Sequence, residues 1–166
     1  MAIIGVVMNV EIPKHIEALL DRADCAGPAS EELILGAEQS LGVAFPSQYR
    51  AFLRRYGAAR WFRRGELFGL TYEQNSVRGK PPMWVDLRWV ARYSLPEGMP
   101  RKLVPIASDG GDYKFYLTTE ARGKVAAGSV VVYGPGLDGV EVAPDFFEFV
   151  EKAASKGTWA LVPDCS

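Results

Sequence analysis

The stretch Leu41–Gly57, LGVAFPSQYRAFLRRYG, leaves the chain little freedom. Tyr49, Phe52, Leu53 and Tyr56 fall at i, i+3, i+4 and i+7, one apolar stripe at the helical period. Pro46 suits the first turn, where its preset φ is already helical and its missing N–H would have no partner. Gly57 suits the position past the last turn, where a left-handed residue closes a helix. Arg50, Arg54 and Arg55 lie between the stripe residues and make the other face basic. A short helix of this kind is marginal alone in water, so the remaining chain must cover its stripe.

At 166 residues the chain has the size of one domain and can bury roughly 70% of its unfolded surface, so its core needs no disulfide or metal. One domain is expected over 1–166, with a core at about 14–154 and peripheral arms at 1–12 and 156–166. Hydrophobic residues at 48% and charged ones at 23% fit a globular chain that is neither disordered nor membrane-spanning. Cys25 and Cys165 are far apart and lack a CxxC spacing. They read as two thiols in a reducing compartment, with a bridge between them left open. His15 is the one histidine, so no structural zinc site and no cofactor are expected.

The opening MAIIGVVMNV is apolar, but its first basic neighbour is Lys14, so it lacks the charged leading region of a signal peptide. It is also shorter than the ~20 residues that cross a bilayer. It reads as an edge strand or a loosely held arm, with Met8 as an alternative start, and a cytoplasmic location is expected.

The net charge of −1 conceals a division: residues 1–48 carry −5, residues 49–102 carry +8 and residues 103–166 carry −4. Either the folded surface is bipolar, or folding interleaves the segments again. Salt limits the reach of such fields to about 8 Å.

Along the chain, Pro13–Asp24 is expected to be a short helix whose acidic end the helix dipole disfavours. Ser30 reads as an N-cap, followed by Glu31 and Glu32 in the first turn and by Leu33, Ile34, Ala37 and Leu41 on the buried face. Residues Arg60–Leu70 predict an aromatic hairpin turning at Arg64-Gly65. A loop over Tyr72–Pro82 then precedes a helix over Met83–Tyr93, with Trp84, Leu87 and Ala91 in one row, Arg88 and Arg92 in another, and Trp89 off the apolar row.

Leu95–Pro100 is a joint. Strands follow at Leu103–Ala107, Asp112–Thr118 and Ser129–Tyr133, the last apolar enough to be central; Pro105 implies an edge or a bulge. Gly134–Gly139 reads as a loop, and Asp145–Ser155 as a closing helix burying Phe146, Phe149, Val150 and Ala153. Helices first, an antiparallel meander and a final helix make the fold class α+β.

Candidate chemistry is sparse. Asp109-Gly110-Gly111-Asp112 offers oxygens and bare N–H groups, but too few ligands for calcium and too many acids for phosphate, so it reads as a turn. Gly134–Gly139 lacks the Gly-Lys-Ser/Thr ending of a phosphate loop. A triad would need His15 as base, and no nucleophile elbow accompanies it. The arginine and aromatic run 49–64 could stack bases and neutralise phosphates, or supply core aromatics and solvated or paired arginines.

Several motifs in order resemble the SUKH superfamily: Glu38-Gln39-Ser40-Leu41-Gly42, Phe45-Pro46, Tyr49-Arg50-Ala51-Phe52-Leu53, Pro100–Ala107, Gly111–Leu117, Val130–Tyr133 and Phe146–Val150. The resemblance spans roughly residues 14–154. The joint after Gly57 lacks an asparagine often seen there, and Met83–Tyr93 is long for the pattern. It implies N-terminal helices packed on a curved antiparallel sheet, no catalytic residues, and binding of a protein. Many bacterial members are immunity proteins that neutralise a toxin, often a nuclease, while eukaryotic members regulate cell-wall and signalling processes.

The expectation is therefore a non-catalytic immunity protein whose partner is a toxin domain. The rival is a nucleic-acid-binding or regulatory scaffold protein using the run 49–64. Candidate partner-binding residues are Glu31, Glu32, Asp109 and Asp112 for a basic partner, and Arg54, Arg63 and Arg64 for an acidic one, with Trp61 as an aromatic anchor.

Overall fold

The computed structural model describes residues 9–61, 63–71, 85–93 and 102–164. The expectations for residues 1–8, the loop Tyr72–Pro82, Trp84, the joint Leu95–Pro100 and Cys165 lie outside them. Val10 and Ile12 pack against the core without forming a strand.

Helix α1 (Lys14–Leu20) buries Ile16 and Leu20. Its acidic end is answered from elsewhere, because the Tyr56 hydroxyl donates to Asp21 Oδ1 at 3.1 Å. Helix α2 (Glu31–Leu41) starts where Ser30 Oγ accepts from Leu33 N at 3.1 Å, and stops at left-handed Gly42. The joint that follows is held by Glu38, whose Oε2 accepts from Phe45 N at 2.8 Å. Helix α3 (Ser47–Arg55) buries Tyr49, Phe52 and Leu53, with Tyr56 beside them at the C-cap. Pro13 and Pro46 sit one residue earlier than expected, as extended N-cap residues whose carbonyls accept the first helical bonds.

Gly57, at φ +73°, closes α3 and lies where three backbones meet. A Cβ there would fall 2.3 Å from Gly27 O, and one on Gly69 would fall 1.7 Å from Gly57 O, so only glycine admits this approach.

The strands form two antiparallel sheets, giving the α+β class. The smaller joins β1 (Asp24–Cys25), β2 (Ala59–Trp61) and β3 (Gly65–Leu67). Trp61 pairs with Gly65, so the hairpin reverses between them, a little before Arg64-Gly65, with Arg63 left-handed at φ 60°. Strand β1 is new: two residues carry no readable alternation.

The larger sheet is the meander β4 (Leu103–Ser108), β5 (Lys114–Thr118), β6 (Val130–Gly134) and β7 (Leu137–Ala143). Pro105 lies on its edge strand and at a register shift, so both expectations for that proline hold. Strand β6 is internal. Strand β7 replaces half of the loop expected at Gly134–Gly139, because the chain reverses over Pro135-Gly136 and pairs Gly134 with Leu137. Phe68 N donates to Ile106 O at 2.7 Å and joins the two sheets.

Helix α5 (Phe146–Lys156), N-capped by Asp145, wedges between α3 and the larger sheet. Phe146 meets Tyr49 and Phe52 with ring centroids 5.2 and 5.3 Å apart, and Phe149 meets Phe115 at 5.2 Å. Burying each such ring contributes about 1.5–3 kcal/mol. Tyr49 adds a directional bond, its hydroxyl donating to Phe68 O at 2.7 Å, and burial drives its pKa well above the usual tyrosine value.

Candidate functional site

A cleft of about 890 Å³ opens where the β2–β3 hairpin, helix α4 (Leu87–Tyr93), the β4–β5 turn and a closing 3-10 helix (Thr158–Leu161) meet. Phe68 and Val90 are buried at its base, Trp89 is half-buried, and Trp159 is 66% exposed. Among the described residues its charged lining is Arg60, Arg63 and Lys114 against Asp24, Glu66 and Asp109. Asp24 and Arg60 stand 3.6 Å apart as an ion pair.

Each wall has a local cause. Helix α4 begins at Leu87, not at Met83, because Asp86 caps it: Asp86 Oδ1 accepts from Arg88 N at 2.9 Å. The same carboxylate takes Arg88 Nε at 2.9 Å and Nη2 at 2.7 Å, and it also accepts from Thr71 N at 2.9 Å and Thr71 Oγ1 at 3.1 Å. Asp86 is only 5% exposed, so these bonds offset the cost of burying its charge. Arg88 is therefore drawn into this network, and the expected basic row of Arg88 and Arg92 is not a uniform solvent face.

The 3-10 helix is anchored from below. Thr158 N donates to Arg64 O at 2.9 Å, Arg64 Nη1 donates to Ser155 O, and a Cβ on Gly65 would lie 2.3 Å from Thr158 Oγ1. Thr158 is buried while its neighbour Trp159 projects outward.

The β4–β5 turn is built as a turn. Asp109 Oδ1 accepts from Gly111 N at 2.7 Å and Tyr113 N at 3.2 Å, and Ser108 Oγ accepts from Gly110 N at 3.1 Å. Among the described residues, no group of three or more His, Cys, Asp and Glu is placed to hold a metal ion.

Of the residues singled out in the sequence, Arg63 and Asp109 reach the cleft rim, and Trp61 reaches its wall. Trp61 is only 7% exposed, with Nε1 donating to Leu19 O at 2.9 Å, so its indole is core and not an outward anchor. Arg64 lies exposed beneath the 3-10 helix, and Asp112 is exposed at the turn.

Glu31, Glu32 and Arg54 lie elsewhere, on the α2–α3 face. There Glu31 takes Arg54 Nε and, at 3.2 Å, Arg50 Nη2; hydrogen bonding from Arg54 leads the causes that hold its pKa below the usual carboxylate value. Arg50 also reaches Glu38 at 3.3 Å, and Arg55 pairs with Glu17. The basic run thus meets the acidic N-terminal third, and folding interleaves the charges that the sequence separates. His15 is exposed on α1, 3.9 Å from Glu151.

Trp159, the most exposed large apolar side chain among the described residues, was assigned to a peripheral arm in the sequence. Its one signal was a tryptophan just past the glycine that ends the closing helix, in KGTWALVPD.

The model of the SMI1 / KNR4 family (SUKH-1) matches residues 28–152, more than half of the chain. No curated protein matches it. Among the described residues, no helix is long and apolar enough to cross a membrane.

Proposed function

This chain belongs to the SMI1/KNR4 family (SUKH-1), and from that premise we propose that it is a non-catalytic immunity protein. It binds a cognate bacterial toxin domain in the cytoplasm and neutralises it by covering an active or substrate-binding surface. The observation that carries this reading is the family match over residues 28–152. The cleft supports it with the residue types that anchor protein interfaces, an exposed tryptophan beside arginine. A stable complex would bury about 1,200–2,000 Å² in total, so the contact extends beyond the cleft onto its rim.

The nucleic-acid alternative draws less support. It needs a row of available cations, whereas Arg50, Arg54 and Arg55 are each engaged by a carboxylate.

Calorimetric titration with the toxin domain encoded in the adjoining gene tests the reading. The expected result is one-to-one binding at nanomolar Kd or tighter, together with loss of toxicity. Absence of heat and of protection overturns it for that pair, and steeply salt-dependent binding to an oligonucleotide would favour the alternative.

A further inference from the structure

The cleft is built from two sources. Strands β2 and β3, helix α4 and the β4–β5 turn lie within the family-matched residues 28–152, whereas Asp24 and the Thr158–Leu161 helix lie outside them. The outer residues therefore add a wall from beyond the matched span to a frame that lies within it. Trp159 is the largest group that wall presents, and its base is fixed by the Thr158–Arg64 and Arg64–Ser155 bonds. An exposed indole on a fixed base loses little side-chain freedom when it is covered, which is what an interface anchor requires.

We infer that the Thr158–Leu161 segment is the specificity element of the binding site, and that Trp159 and the cleft receive a protruding loop of the partner protein, apolar or aromatic at its tip and without net charge. This rests on the protein-binding reading above. The charge of the occupant follows from the lining: among the described residues three cations and three anions surround the cleft, so a strongly acidic or basic segment would meet as much repulsion as attraction from them. Its size follows from the volume, since about 890 Å³ accommodates the tip of a loop and not a folded domain.

The test uses the full chain and the same toxin domain. Trp159→Ala is expected to weaken Kd at least about 30-fold, with Trp159→Phe recovering part of that loss. The tryptophan emission of the wild-type protein should shift to the blue on binding, and this shift should shrink in Trp159→Phe. Between ~50 and ~300 mM salt, Kd should change less than about threefold, because a balanced cleft gives little steering.

Tight wild-type binding that Trp159→Ala leaves within about threefold overturns this inference and leaves the immunity reading standing. No wild-type binding removes both. Strong salt dependence overturns the uncharged occupant. Concentration-dependent self-association abolished by Trp159→Ala would make the occupant a second copy of this chain and overturn the inference.

Discussion

On the α2–α3 face, Arg50 and Arg54 reach Glu31, Arg50 also reaches Glu38, and Arg55 reaches Glu17. Around the cleft, charges of both signs are again present, but they ring an exposed tryptophan and a half-buried one. The first region spends its charges on holding helices together. The second keeps an apolar surface in contact with solvent, a state that covering by a partner would relieve. A dense charge run in a sequence therefore does not mark a contact surface; what matters is whether the same chain already answers it.

Each region has one well-buried carboxylate, and removing it measures how far that region depends on its charges. The largest effect is expected at Asp86, which holds both Thr71 and the start of α4. Asp86→Ala strips five described hydrogen bonds and leaves Thr71 N buried without that acceptor. Urea unfolding should show a loss of about 3–5 kcal/mol. A loss below about 1 kcal/mol would mean that the cleft wall does not rest on this network.

On the paired face, Glu38→Ala should cost about 2–3 kcal/mol, since it frees Phe45 N and leaves the largely buried Arg50 without that carboxylate. Partner affinity, measured well below the unfolding midpoint, should stay unchanged. An affinity loss matching that of Trp159→Ala would break the distinction between scaffold face and contact face.

The smallest effect is expected at Glu31. Its pKa is depressed in the folded state, so the stability it adds is present above its usual value of 4.5 and is lost as pH falls through the lower folded value. Glu31 itself is solvent-exposed, so Glu31→Gln should cost no more than about 1 kcal/mol near neutral pH. The difference from wild type should vanish in acid unfolding below that window. A difference that persists there would place the effect in packing and not in charge.

Much of the scaffold was legible in the sequence because it is local. The Tyr49, Phe52, Leu53 and Tyr56 stripe, the Ser30 cap and the Phe146–Ala153 face each follow from spacing within one helix, and each is observed. The central place of β6 and the irregularity at Pro105 follow from residue chemistry alone. Strand β7 was not legible, because Asp138 and Gly139 break the alternation that would reveal it and its two register shifts blur the rest. Strand β1 is too short to have a period.

The site was less legible for a related reason. Trp61 and Trp159 are the same residue type, yet the one lying between Arg60 and Arg63 donates to Leu19 O inside the core and the one followed by Ala160-Leu161-Val162 faces solvent. Which is which depends on contacts between segments about a hundred residues apart, such as Thr158 on Arg64.

The sequence by itself determined most of the helices, the α+β class and the family, because helical period, capping and motif order are properties of neighbouring residues. The tertiary structure alone decided which charges cancel and which tryptophan is presented. Glu31 meets Arg54, and Thr158 lifts Trp159, only after the chain has closed on itself. Burial and pairing are properties of that closed shape, and no window of sequence contains them.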